Sequence, residues 1–333
     1  MSAPETPHFS GPDLQAIRDA RRRIAPYIEQ TQVMISYPLD ELAGALLYFK
    51  CENLQLSGSF KIRGAANAVF SLSEAEAARG VVTHSSGNHG AALALAAQMR
   101  GIRAWVVMPR NAPQVKVRAV EAYGADISFC EPTLPAREAG AAELLKSTGG
   151  TLIHPYDDDR VIAGQGTAAL ELLEEIPDLD IICAPVSGGG LLSGTAIAAK
   201  SLRPEIQVIG CEPNNADDAA RSMASGKIEP ASIQFTLADG LRATLTPRTF
   251  AILRERVDRI LLATEQEIVK TMHLLTEHLR ITVEPSGAVA ASPALHHQIE
   301  GEDLRIGIIL SGGNLDPDTL PATTEGETRR QRG

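Results

Sequence analysis

Short apolar runs of strand type alternate with longer segments of helical type along most of the 333-residue chain, and no other feature constrains its fold as much. Helix-like segments cover 13–27, 90–100, 112–123, 136–148, 161–175, 190–202 and 265–279. Strand-like runs fall at 46–51, 80–83, 103–108, 126–129, 152–154, 181–186, 207–211 and 305–310. A strand that returns parallel to its neighbour needs a crossover, which a helix supplies. The pattern therefore predicts an α/β fold with mostly parallel sheets. In such sheets ligands bind beyond the carboxyl ends of the strands, so the chemistry belongs at strand-to-helix turns.

Composition narrows the function classes. Hydrophobic and charged fractions of 44% and 22% are ordinary for a soluble protein, and the length suffices for two domains. A net charge of −10 argues against a nucleic-acid partner, which needs a basic face. No apolar run approaches the roughly 20 residues of a membrane span, and the polar segment 1–12 lacks a signal-peptide core. Cys51, Cys130, Cys183 and Cys211 are isolated in sequence, so neither a disulfide framework nor a thiolate zinc site is expected. They read as buried thiols of a cytoplasmic protein.

Lys61 stands in Gly58-Ser59-Phe60-Lys61-Ile62-Arg63-Gly64-Ala65, among small and apolar residues just after a strand-like run. Desolvation disfavours an ammonium ion, and a neutral lysine can condense with a carbonyl. Most lysines are surface lysines, so the position acquires meaning only beside three downstream turns. The first is Thr83-His84-Ser85-Ser86-Gly87-Asn88-His89-Gly90, ahead of an alanine-rich helix. Helix N-termini suit carboxylates, and Ser85, Ser86 and Asn88 are also ordinary helix caps. Capping alone does not account for two serines, an asparagine and two histidines together.

The second turn, Ser187-Gly188-Gly189-Gly190-Leu191, opens another helix; successive glycines let backbone N–H groups approach a phosphate. It also comes close to a dinucleotide fingerprint, with Gly188 and Gly190 in place, Ser193 at the third glycine position and Glu212 about 20 residues on. A nicotinamide oxidoreductase is thus a fair reading of this segment alone, but it leaves Lys61 and the serine turn unemployed. The third turn, Ser311-Gly312-Gly313-Asn314, follows the last apolar strand and is either a plain glycine turn or a contact with a ring edge.

These motifs, with Glu-Pro-Ser-Gly-Ala at 284–288, occur in the order found in the pyridoxal-phosphate enzymes of the tryptophan-synthase β fold (fold type II), and the chain resembles that family from about residue 17 to 317. Within it the chain is similar to the group of serine racemases, 3-hydroxyaspartate dehydratases and short serine/threonine dehydratases. Cysteine synthases usually carry Thr-Ser-Gly-Asn-Thr-Gly, which His84, Ser86 and His89 do not match. The resemblance implies two three-layer α/β/α domains with pyridoxal 5'-phosphate in the cleft. It places a large cofactor-binding domain at 1–52 and 156–322, a small substrate-binding domain at 53–155, and a disordered tail at 323–333. A homodimer is its expected assembly.

By the same resemblance Lys61 carries the cofactor covalently and acts as base at the substrate Cα. Phe60 packs near the ring, Asn88 bonds the ring oxygen, Gly188, Gly189, Gly190 and Leu191 hold the phosphate, and Ser311 faces the ring nitrogen. A neutral hydroxyl there makes a weaker electron sink than a carboxylate partner would, which favours β-elimination. Ser86 matches a racemase serine that serves as acid or base opposite the lysine. Ser85, Ser86, Asn88 and His89 would receive the substrate, with Arg137 and Arg242 as candidates for a second carboxylate. Glu212, the Ala216 carbonyl and Asp218 match a divalent-metal loop for Mg²⁺, Ca²⁺ or Mn²⁺, whose competing explanation is a solvated acidic turn with helix capping.

Two departures from the racemase pattern are visible: Ala243 stands where the animal racemase has a serine, and Leu56 where a lysine is associated with nucleotide regulation. The expected function is dehydration of a β-hydroxy-α-amino acid, 3-hydroxyaspartate ahead of serine and threonine, to a keto acid and ammonia. Serine or aspartate racemisation is the alternative. A nicotinamide oxidoreductase and a non-catalytic ligand-binding protein are the remaining rivals.

Overall fold

A computed structural model describes residues 11–85, 87–231 and 234–315. Among them ten strands form two sheets. In chain order these are β1 (Val33–Met34), β2 (Leu46–Lys50), β3 (Val81–His84), β4 (Ala104–Pro109), β5 (Asp126–Cys130), β6 (Thr151–Leu152), β7 (Ile181–Pro185), β8 (Gln207–Pro213), β9 (Arg259–Ala263) and β10 (Arg305–Ile309). The six-stranded sheet has the order β1-β2-β10-β7-β8-β9 and is parallel except for the β1–β2 pair. The four-stranded sheet, β5-β4-β3-β6, is parallel throughout. The expected mixed α/β architecture with parallel sheets is the one observed.

Strand β7 shows how the larger sheet is buried. All five of its residues are inaccessible, with Ile182 and Ala184 in one apolar cluster and Ile181 and Cys183 in the other. Successive side chains point to opposite faces, so a strand covered on both sides reads as a continuous apolar run.

The sequence reading missed the helix Lys61–Phe70, which begins at the lysine itself. Every residue from Ile62 to Val69 is buried, including the polar pair Arg63 and Asn67 one turn apart, so its polar positions do not mark a solvent face. It also missed β9, an edge strand flanked by charge at Asp258 and Arg259. Three cysteines are buried as expected, whereas Cys130, at the end of an edge strand, is only half-buried. No described helix is long and apolar enough to cross a membrane. The expected tail at 323–333 lies outside the described residues.

Behind Lys61 lies a fully buried ionic network. Arg63 donates to Glu52 (Nε–Oε2 2.7 Å) and to Glu171 (Nη2–Oε2 2.8 Å), and Lys50 reaches the same Glu171 oxygen at 2.7 Å. The four side chains belong to β2, the turn after it, helix Lys61–Phe70 and helix Asp159–Glu175. Two cations face two carboxylates. The network therefore fixes the base of the Lys61 helix without leaving a net buried charge.

Candidate active site

The carboxyl ends of both sheets face a common cavity of about 290 Å³. All three predicted turns reach it. Lys61 and Phe60 line one wall, Ser85, Asn88 and His89 a second, Gly188 to Leu191 a third, and Ser311 closes the floor. The floor is attached to the lysine segment by backbone pairing: Phe60 N–H donates to Ser311 O at 3.0 Å, and Ser59 bridges Gly312.

The Lys61 amine lies 3.3 Å from the Pro155 carbonyl and 4.9 Å from the centre of the Phe60 ring. Burial pulls its pKa down to about 8, with the Glu284 carboxylate opposing. Its place at a helix N-terminus works in the same direction, because the positive end of the helix disfavours a cation. Only the neutral amine attacks a carbonyl. Cofactor uptake by apoprotein should therefore accelerate as pH rises through about 8 and level off above it. Stopped-flow absorbance across pH checks this; a midpoint near the ordinary lysine value would contradict it.

The glycine turn leads into helix Gly190–Leu202, which has no side-chain cap and no acidic residue in its first turn. Its free N–H groups can thus take an anion, and a phosphate fits this end of the cavity. Gly189 has φ of +90°, and a Cβ there would lie 2.7 Å from the Thr249 Cβ. Gly189→Ala is accordingly expected to weaken cofactor affinity about 10-fold through backbone strain and displacement of the loop. Equilibrium titration of apoprotein with pyridoxal phosphate measures it, and unchanged affinity would count against a phosphate site here.

The serine turn differs in detail from its reading as a set of caps. Helix Asn88–Arg100 is preceded by Gly87 and has no side-chain cap; Ser85 Oγ instead accepts the Gly87 N–H at 3.1 Å. His89 is buried, with Nε2 3.3 Å from the Ile153 carbonyl and Nδ1 without a partner among the described residues. Burial, then the Lys61 charge, drives its pKa well below the usual value, so His89 is neutral. His84 is also held neutral at about 4, by burial and then by His154 and Arg137. Ser86, the candidate second base, lies outside the described residues.

The two candidate arginines are not equivalent. Arg242 is exposed, stacks 5.1 Å over the Phe235 ring and donates to the Thr236 carbonyl at 2.5 Å. Arg137 is half-buried at the cavity wall, on helix Leu134–Thr148, and its side chain makes no hydrogen bond or ion pair among the described residues. Its charge bears on His84 and Tyr156, both lining residues or their neighbours in the cavity.

Glu212 and Asp218 are not solvated, but the helix-capping part of the competing explanation holds. Glu212 accepts the Ala219 and Ala220 N–H groups at 3.1 and 2.9 Å, at the start of helix Asp218–Ser225. Glu212 lies in β8 and is 0% exposed; Asp218 is 2% exposed and its Oδ2 has no partner. Burial raises Glu212 to about 8 and Asp218 to about 6. With both Glu212 oxygens accepting backbone N–H groups, the Asp218 Oδ2, unpartnered among the described residues, is the atom that fits a hard divalent cation, to which Glu212 could add its remaining lone pairs. Among the described residues no group of three or more His, Cys, Asp or Glu converges, so backbone carbonyls and water would complete the shell.

Several polar residues of the cavity escaped the sequence reading. Glu284 accepts from Asn88 Nδ2 at 2.5 Å and lies 3.6 Å from Lys116 Nζ, which in turn meets Asp239 at 2.6 Å. Burial raises Glu284 to about 7 against the pull of Lys116. The Glu-Pro-Ser-Gly-Ala motif marked Glu284 without giving it a role. Lys116 and Asp239 carried no local signal, since only the fold brings their segments together.

Comparison with known proteins agrees with this geometry. Residues 24–312 match the family model described as pyridoxal-phosphate dependent enzyme. The chain is 49% identical to a serine racemase of Arabidopsis thaliana over 313 residues, covering 92% of this chain and 95% of that protein. It is 47% identical to a beta-hydroxyaspartate dehydratase of Paracoccus denitrificans over 310 residues, covering 93% and 98%. The solved structure of maize serine racemase superposes with a TM-score of 0.91 at 44% identity, covering 97% of this chain and 100% of that one.

Proposed function

Because the chain belongs to the pyridoxal-phosphate dependent enzyme family, we propose that it removes water from a β-hydroxy-α-amino acid, with 3-hydroxyaspartate favoured over serine and threonine. The net change for hydroxyaspartate is to oxaloacetate and ammonia: water leaves first, and hydrolysis of the resulting enamine restores it. The observation that carries the substrate class is Arg137, a guanidinium at the cavity wall with no partner among the described residues. An unpaired fork in a cleft is suited to a second carboxylate. Similarity to a beta-hydroxyaspartate dehydratase at 47% identity supports the same reading.

The bound cofactor would supply an electron sink for the pair left at Cα. The protein's part is binding, orientation and proton handling. Lys61 Nζ, poised near neutrality, takes the Cα proton, and that proton and the β-hydroxyl depart together as water. Asn88 donates toward the ring oxygen, the Gly188–Leu191 backbone holds the phosphate, and Ser311 gives the ring nitrogen a neutral partner. Ser85, Asn88 and His89 border the place of the α-carboxylate; Arg242 serves only if it leaves the Thr236 carbonyl. Glu212, Asp218 and the Ala216 carbonyl would hold a divalent cation, Mg²⁺ first, as a structural ion. A homodimer is the assembly we expect.

Racemisation is the second reading, favoured by 49% identity to a serine racemase and by a serine at position 86. Incubation with the hydroxyaspartate stereoisomers, serine and threonine separates the two. The expected result is keto acid and ammonia in equal amounts, fastest from a hydroxyaspartate. Enantiomer formed without ammonia would put racemisation first. Arg137→Met should lower kcat/KM about 100-fold on hydroxyaspartate and leave serine within a few-fold, the cost of losing one charged partner. Equal loss on both substrates would remove Arg137 from substrate discrimination.

A further inference from the structure

Asn314 ends the Ser311-Gly312-Gly313-Asn314 turn, and the reaction so far gives it no task. Its side-chain amide donates twice: Nδ2 lies 2.8 Å from the Ser57 carbonyl and 3.0 Å from Asn88 Oδ1. A peptide carbonyl can only accept, so the Ser57 contact alone fixes which end of the Asn314 amide is nitrogen. That orientation propagates. Asn88 must present its oxygen to Asn314, and its nitrogen then faces Glu284, 2.5 Å from Oε1. One proton of Asn88 Nδ2 is used there, and the other has no acceptor among the described residues.

The segment ahead of Lys61 is moulded around the same side chain. Gly58 has φ of +71°, and a Cβ on it would stand 2.1 Å from Asn314 Oδ1. The Gly58 carbonyl also accepts the Gly313 N–H at 2.9 Å. Asn314 therefore touches both the segment that leads into Lys61 and the amide of Asn88, which come from different parts of the chain.

We propose that Asn314 is a positioning residue that locks the Asn88 amide with its nitrogen toward Glu284 and a spare proton toward the cofactor ring oxygen. The proposal rests on the reading above that Asn88 serves that oxygen. An unrestrained asparagine can turn its amide over and present its oxygen instead, which would repel an anionic ring oxygen. The Ser57 carbonyl, acting through Asn314, prevents this together with Glu284, which accepts from Asn88 Nδ2.

Asn314→Asp tests the lock with little change of shape. A carboxylate cannot donate to Asn88 Oδ1 and repels it, so the Asn88 amide is pushed away or turned over against the hold of Glu284, and the ring oxygen loses its donor. With its anion no longer stabilised, that oxygen retains a shared proton more tightly. The visible absorbance of the Lys61-linked cofactor should then titrate about one pH unit higher than in wild type, the equivalent of one hydrogen bond, and pyridoxal phosphate affinity should fall about 10-fold. Asn314→Ala, which leaves Glu284 alone to orient the Asn88 amide, should show a smaller shift in the same direction.

Thermal unfolding of both variants is followed in parallel. A residue with only a structural role would lower the melting temperature and leave the titration midpoint in place. Unchanged midpoint and affinity in a folded Asn314→Asp protein would overturn the proposal. Wild-type protein that binds the cofactor away from Lys61 would overturn the site reading beneath it as well, and it is recognised before any variant is made.

Discussion

Replacing Lys61 by alanine is expected to cut turnover at least about 1000-fold, because in the proposed reaction one side chain both anchors the cofactor and moves the Cα proton. The loss cannot be shared out among neighbours. His84 and His89 are neutral and buried, and Lys116 is committed to Asp239 at 2.6 Å and faces Glu284. No other amine lines the cavity among the described residues. Steady-state ammonia release measures the effect. Retention of a tenth or more of the wild-type rate would mean that another group takes the proton, and the mechanism would fail with it.

Arg63→Met is expected to destabilise the fold by about 3–5 kcal/mol, the cost of breaking a buried pair from one side. Methionine fills much of the same volume but leaves Glu52 and Glu171 facing Lys50 alone, in a region where Arg63, Lys50 and Glu52 are all 0% exposed. Although burial raises the Glu171 carboxyl, Arg63 and Lys50 together lower it below its ordinary 4.5. Its contribution to stability is thus complete above that value and is lost as pH falls through the lower, native one. The contrasting pair Arg103–Asp126 is 73% and 59% exposed, so Arg103→Met should change stability by no more than about 0.5 kcal/mol. Denaturant midpoints of the two variants check both values; equal midpoints would show that the buried network adds nothing.

The sheet order was not legible in the sequence, but the elements that carry the site largely were. Helices Gly190–Leu202 and Glu265–Leu279 run over the residues expected of them, because apolar periodicity and glycine or threonine at their starts define both ends. The helix that carries Lys61 was missed because it follows Phe60 with no side-chain cap to mark its start, and because it buries polar Arg63 and Asn67 among its apolar residues. In the site, residues within motifs were found: Lys61, Asn88, the glycine turn and Ser311 converge on one cavity. What escaped was pairing across the cleft. Glu284 and Lys116 lie 168 positions apart in sequence and 3.6 Å apart in space, and no local spacing encodes such a contact. Burial of Glu212 and Asp218 was equally hidden, because an acidic run reads the same whether water or a cation satisfies it.

Borohydride reduction of the cofactor-loaded protein, followed by peptide mapping, tests the identity of the anchoring amine most directly. Three lysines are candidates by burial or position: Lys50 and Lys116, 0% and 5% exposed, and Lys61 at the cavity wall. The expected result is a single reduced adduct on the peptide containing Ser59-Phe60-Lys61, equal to the amount of bound cofactor. An adduct on Lys50 or Lys116, or cofactor released intact after reduction, would contradict the assignment of Lys61 and the chemistry built on it.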